Sequence, residues 1–416
     1  MSHFIKIYSL LLGSALLMFG GGLQGLVLSV RGAEEHFSLL ALGLIGTGWS
    51  VGYVAGSVSV PLMVKRVGHI RAYSVMAAIG TITILLNLMI LNDIAWIVLR
   101  ALSGYCFAGA AMIVESWLNE VTENRQRGTI FSLYSAINMA SSTLGQLAMS
   151  VTGVIGYTPF VVGAISFICA LLPTALTSKP QPRPLQSAKL DLMLLYRTSP
   201  VAAIAAFSVG MANGTFGTLA PVFGYSQHLD AASISYLMCV TVIMGAISQI
   251  PAGRVSDRID RRLVIVALSG VAAIMGVLLV VLDPQGGWPL YLMFALYGLC
   301  AYPLYGIAVA HANDSAKEGD FAKISSAMLL IMGVGLAIGP AIAPTLMNSI
   351  KPVAMFIVTA TFHGALAIST VIRLYARPGQ RRPRGPFQPI FTDKGQTPEA
   401  VTLDPRSDEE TVQEAV

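Results

Sequence analysis

Arg100 and Glu115 share one apolar run, Ile94–Trp117, and a cation and an acid placed there could handle a charged solute or a proton. A charge within a membrane-length apolar helix costs about 2.5–3.5 kcal/mol on insertion scales, so it needs a polar cavity, a partner or a ligand. At about 100° per residue, Arg100, Gly104, Ala108, Ala111 and Glu115 fall in a stripe about 80° wide. A rise of about 1.5 Å per residue separates the two charges by about 22 Å, so they cannot pair directly. A path along that face would touch both: a guanidinium that stays charged and a carboxyl that can take up and release a proton. The alternatives are that Arg100 snorkels to the interface near Asp93 and that Glu115 tethers the loop that follows.

Uncharged polar residues within other apolar runs could complete such a site: Gln24, Asn138, Asn213 and Gln249, with Tyr297 and Tyr302 as further cavity candidates. Helix-to-helix hydrogen bonding, worth about 0.6 kcal/mol on average, is the commoner use of such amides. Trp49 and Tyr53 offer aromatic surface to an apolar or planar cargo. Trp96, Trp117 and Trp288 lie at run ends and read as interfacial anchors. With no Ser/His/Asp constellation, His-Glu-x-x-His pair or nucleotide-binding loop, neither enzymatic activity nor direct use of ATP is expected. Cys106, Cys169, Cys239 and Cys300 fall inside apolar runs without metal-ligand spacing. No disulfide, metal or cofactor is expected.

The elements that must position these residues are membrane helices. Of 416 residues, 55% are hydrophobic and 11% charged, too few charges to cover a water-facing surface. The net charge of +5 sits in short loops with no continuous basic face, which argues against nucleic acid. About twelve runs reach the length of about 20 residues that spans a bilayer. They are Tyr8–Val30, Leu39–Pro61, Ile70–Ile90, Ile94–Trp117, Thr129–Ser150, Ile155–Leu176, Pro200–Val222, Ala231–Pro251, Leu263–Leu282, Trp288–Ala310, Ile324–Met347 and Val353–Arg373. Apart from Arg31, Lys351 and the embedded Arg100, the basic residues fall on one side of these runs. By the positive-inside rule that side is cytoplasmic, as are both termini of a multi-pass protein of the plasma (cell inner) membrane. The expected organisation is a helical bundle over residues 1–177, a cytoplasmic linker over 178–199, a second bundle over 200–373 and a disordered cytoplasmic tail over 374–416.

Internal similarity supports two halves. Gly22 aligns with Gly214, Gly25 with Gly217 and Arg66 with Arg258 at one offset. After a slip of about two residues, Gly104 aligns with Gly298, Cys106 with Cys300, Asn119 with Asn313 and Gly145 with Gly339. Two charged loops occupy matching places. The second carries Gly253, Asp257, Arg258, Arg261 and Arg262; the first keeps Arg66, Gly68 and Arg71 but has Lys65 where the second has its acid.

These loops resemble the signature Gly-x-x-x-Asp-Arg/Lys-x-Gly-Arg-Arg/Lys of the major facilitator superfamily, and the resemblance spans nearly all of Tyr8–Arg373. The stretches Glu115-Ser116-Trp117-Leu118-Asn119-Glu120, Arg125-Gln126-Arg127-Gly128 and Leu144-Gly145-Gln146-Leu147 are similar to its YcaD-type branch. The resemblance implies an all-α membrane fold of twelve helices in two pseudo-symmetric bundles, acting as a monomeric secondary transporter of a small organic solute by alternating access. It also implies that the loops act as gates, with Asp257 and Arg258 foremost, and that Arg100-x-x-x-Gly104 follows an antiporter motif, which favours proton coupling and export. Against export, Gln146 follows Gly145 where that pattern has proline. Proton-coupled uptake, and a non-transporting sensor or scaffold on the same fold, stay open.

Overall fold

In the computed structural model the described residues are 2–122, 126–172, 191–317, 320–376 and 387. The first half contains α1 (Ser2–Glu34), α2 (Leu39–Val67), α3 (His69–Met89), α4 (Asp93–Val121), α5 (Arg127–Thr152) and α6 (Thr158–Cys169). A short helix, α7 (Leu192–Thr198), lies in the span expected as linker, whose residues 178–190 fall outside the described residues. The second half contains α8 (Pro200–Ser226), α9 (Ala231–Arg258), α10 (Arg261–Leu282), α11 (Gly287–Ala301), α12 (Pro303–Asn313), α13 (Phe321–Ser349) and α14 (Met355–Ala376). Among the described residues 10 helical segments are long and apolar enough to cross a membrane, α11 and α12 together forming one of them. The more polar α5, of 26 residues, and the short apolar α6 complete twelve crossings.

Several helices start where a side chain can take an unpaired backbone N–H. Ser38 accepts from Ala41, Asn92 from Ala95, Ser199 from Ala202 and Asp230 from Ser233. One helix ends at Ala301 and the next starts at Pro303, which cannot donate to the preceding turn. By contrast, α13 runs as one helix through Pro340 and Pro344.

The matched glycines do the same work in each half. A side chain on Gly22 would overlap the carbonyl of Ser142 and one on Gly145 that of Phe19, so α1 and α5 cross backbone against backbone. Gly214 against Leu336, and Gly339 against Met211, do this for α8 and α13. Gly104 faces the Trp49 carbonyl and Gly298 that of Thr241, bringing α4 onto α2 and α11 onto α9.

The halves meet away from the charged loops. There Thr47 Oγ1 donates to the Ala337 carbonyl at 2.6 Å and Ser50 Oγ to that of Leu336 at 3.3 Å. Gly43 abuts Pro340 and Pro344, and Gly46 abuts Thr218.

Some expectations need correction. Trp96 and Trp117 are core residues: Trp96 is enclosed and donates its indole N–H to the Ile90 carbonyl at 2.7 Å. Trp117 stacks on the His69 ring with centroids 6.5 Å apart, and only Trp288 of the three is exposed. The last helix runs to Ala376, so Leu374 is not where the tail begins; of the tail beyond it, Phe387 alone is described.

Candidate functional site

Arg100 does not snorkel. It is buried, and its Nη1 donates to Gln24 Oε1 on α1 at 2.7 Å, an oxygen that also accepts from Ser103 Oγ at 3.0 Å. Its guanidinium carbon lies 5.8 Å from the centre of the Trp49 ring, close enough for a cation–π contact. Trp49 in turn stacks on Tyr53, with centroids 5.1 Å apart. Gly104 explains the geometry: one turn from Arg100, it lets α4 press on the α2 backbone at Trp49 itself. The Arg-x-x-x-Gly spacing therefore places a cation on an aromatic face.

A small cavity of about 50 Å³ opens beside this group, at the seam between the halves. Ser29 of α1, Trp49 and Ser50 of α2 and Arg100 of α4 line it from one half, and Asn213 and Thr218 of α8 from the other. Of the expected cavity residues, Arg100 and Asn213 line this space and Gln24 holds Arg100 from behind. The others lie elsewhere. Tyr297 is buried within the second bundle, stacked on Phe216 at 4.9 Å with its hydroxyl 3.3 Å from His363 Nε2. Tyr302 packs against Gly245, and Gln249 is enclosed with neither amide atom hydrogen-bonded among the described residues.

Glu115 and Asn138 belong to a second polar cluster. Glu115 is completely buried and accepts a hydrogen bond from Tyr134 at 2.7 Å, while Asn138 Oδ1 accepts from Ser14 Oγ at 2.6 Å. This cluster joins α1, α4 and α5 deeper toward the charged loops. Ser103 and Tyr134 were missed in the sequence. Ser103, three residues after Arg100, was legible as its neighbour on the helix face; nothing in the sequence marked Tyr134 as the partner of Glu115.

The two charged loops differ. In the second, Arg261 is the centre: it is 2% exposed, and it reaches Asp257 at 2.9 Å, Ser256 Oγ at 2.9 Å and Asp314 at 2.7 Å. Arg262 pairs with Asp260 at 2.7 Å. Burial pushes the Asp260 carboxyl up, but hydrogen bonds from Arg262 outweigh it and hold it below the usual carboxylate range. Arg258, a gate candidate with Asp257, is exposed and makes no ion pair among the described residues. Gly253 leaves room for the ring of Phe387, whose backbone N–H donates to both Asp257 oxygens at 3.1 Å. In the first loop Arg66 and Arg71 are exposed, again without an ion pair among the described residues, and Gly68 adopts φ 85° between α2 and α3, a turn that favours glycine.

The sequence matches the Major Facilitator Superfamily over residues 10–229 and 202–403. Among curated relatives, the "Uncharacterized MFS-type transporter YcaD" of Escherichia coli O17:K52:H18 (strain UMN026 / ExPEC) is 27% identical over 335 residues, 79% of this chain and 85% of the relative. The protein of that name from Shigella flexneri gives the same figures. Among solved structures, the nucleoside transporter NupG superposes with a TM-score of 0.72 at 15% identity, covering 88% of this chain and 98% of that one. A bacterial homologue of the human lysosomal transporter Spinster, described as inward-facing and unoccupied, gives 0.66 at 13% identity over 97% and 98%.

Proposed function

This chain belongs to the Major Facilitator Superfamily, as a multi-pass membrane protein and secondary transporter of a small-molecule substrate, and from that premise we propose proton-coupled alternating access around the cavity beside Arg100. The observation that carries this reading is the placement of Arg100: a buried cation facing a cavity that both halves line. A solute there touches α1, α2 and α4 on one side and α8 on the other, so its binding can couple the two halves. Glu115 is the proton carrier, because it is the acid enclosed in the first bundle and because Tyr134 can stabilise its charged form and stay bound when it is protonated. The charged loops lie in the cytoplasm with both termini, the protein works as a monomer, and the direction favoured by the Arg100-x-x-x-Gly104 pair is export.

The opening and closing parts follow from where the halves touch. The contacts of Thr47, Ser50 and Gly43 with α13 support a seam that is closed on the outer side. Transport requires that seam to part while the charged-loop ends approach. The Asp257–Arg261–Asp314 group keeps α9, α10 and α12 in fixed register as they move.

The test is flux in proteoliposomes, with solutes first selected by their stabilisation of the purified protein. A pH gradient should drive a stabilising solute across the membrane in wild type, and Arg100→Ala should lower that flux by more than about tenfold. A solute that stabilises the protein but never crosses would support the sensor instead.

A further inference from the structure

The cavity beside Arg100 carries one kind of charge. Of its lining residues only Arg100 is ionisable, and the group holding it, Gln24 Oε1, is a neutral acceptor already shared with Ser103. A guanidinium has five N–H donors in a planar fork, and this one has no carboxylate partner among the described residues. Gln24 Nε2, buried beside it, has no hydrogen-bond partner either. Across the seam, the side chains of Asn213 and Thr218 line the same space and make no hydrogen bond among the described residues. The site therefore presents an uncompensated cation and unused donors on one wall, and unused polar groups on the other.

We propose that the solute is a small organic monocarboxylate, bound with its carboxylate on Arg100 and a second polar group on Asn213 and Thr218. This rests on the transporter reading above and adds the substrate class to it. A carboxylate matches the fork of the guanidinium and supplies the missing counter-charge. A single cation balances one negative charge, so a phosphate carrying two would leave one unpaired, since Arg100 alone of the lining residues is ionisable. A cationic solute meets like charge at low dielectric and is refused. Because the two ends of the anion are held by opposite halves, the loaded carrier gains contacts that the empty one lacks, and Ile45, Trp49 and Leu336 add apolar lining for the carboxylate's body.

Thermal unfolding of the full chain in lipid nanodiscs tests this with matched probes: benzoate, salicylate, lactate and pyruvate, each against its amide, with benzylamine as the cation. At least one carboxylate should raise the midpoint in a concentration-dependent way, while its amide and benzylamine do not. Arg100→Gln should weaken that binding by more than about tenfold, and Arg100→Lys should keep the preference for anions at lower affinity. Gln24→Glu guards against misfolding as an explanation. It places an internal carboxylate on Arg100, so the variant should melt at or above wild type and yet lose the response. Three results overturn the proposal: no carboxylate stabilises, the amide or amine stabilises equally, or the carboxylate response survives Arg100→Gln. Failure of the two readings can be told apart. A carboxylate that binds but is never carried removes transport and leaves the site, whereas carriage of a neutral or cationic solute does the reverse.

Discussion

Arg261 is enclosed between Asp257 and Asp314, and its removal would leave two carboxylates facing each other. Arg261→Met should therefore cost about 3 kcal/mol, the low end for breaking a buried pair because Asp257 is 33% exposed. Arg258→Ala, on the exposed side of the same loop, should stay within about 0.5 kcal/mol. Thermal unfolding of the two variants in one detergent compares them directly. In transport, Asp257→Asn should reduce flux more than Lys65→Ala, since Asp257 also holds the backbone of Phe387. The sequence marked Asp257 and the arginines beside it through their match to a signature, but not the acid that completes the group. Asp314 lies 53 residues from Arg261, on another helix, and no local pattern connects them. Arg100 was legible because a charge in an apolar run is rare; its hold on Gln24, 76 positions away, was not.

At the scale of elements, the glycines that repeat between the halves define which helices cross closely. Gly145→Leu would drive a branched side chain into the Phe19 backbone and should destabilise the α1–α5 crossing by about 1–3 kcal/mol or more, as overpacking does. Gly270→Ala on α10 meets nothing within 4 Å and should stabilise its helix by up to about 1 kcal/mol. Melting temperatures moving in opposite directions would support this; a tolerated Gly145→Leu would contradict it. The repeat was visible in the sequence because close crossings demand small residues at fixed places. Trp96 and Trp117 misled for a related reason: position along a helix gives depth, while burial depends on which face a neighbour covers. Proline was ambiguous too, breaking the helix at Pro303 while α13 continues past Pro340 and Pro344.

For the whole molecule, two bundles meet around a cavity at their seam, with Arg100 on its wall and Glu115 further along the same helix. The class of fold followed from composition and repetition, since a chain so apolar must span a membrane and a doubled pattern must build two like bundles. The position of the cavity did not, because it depends on how the halves lean together. A wedge at their contact tests the motion: Gly43→Leu should force α2 from Pro340 and raise labelling of a cysteine placed at Ser29. Unchanged labelling would mean that this seam does not gate the site. The most direct test of the account is proton movement on solute addition to proteoliposomes containing a pH-sensitive dye, with wild type and Glu115→Gln side by side. Wild type should move protons with the solute, and Glu115→Gln should bind the solute with no coupled proton signal; an equal signal from both would contradict the assignment of Glu115 as the proton carrier.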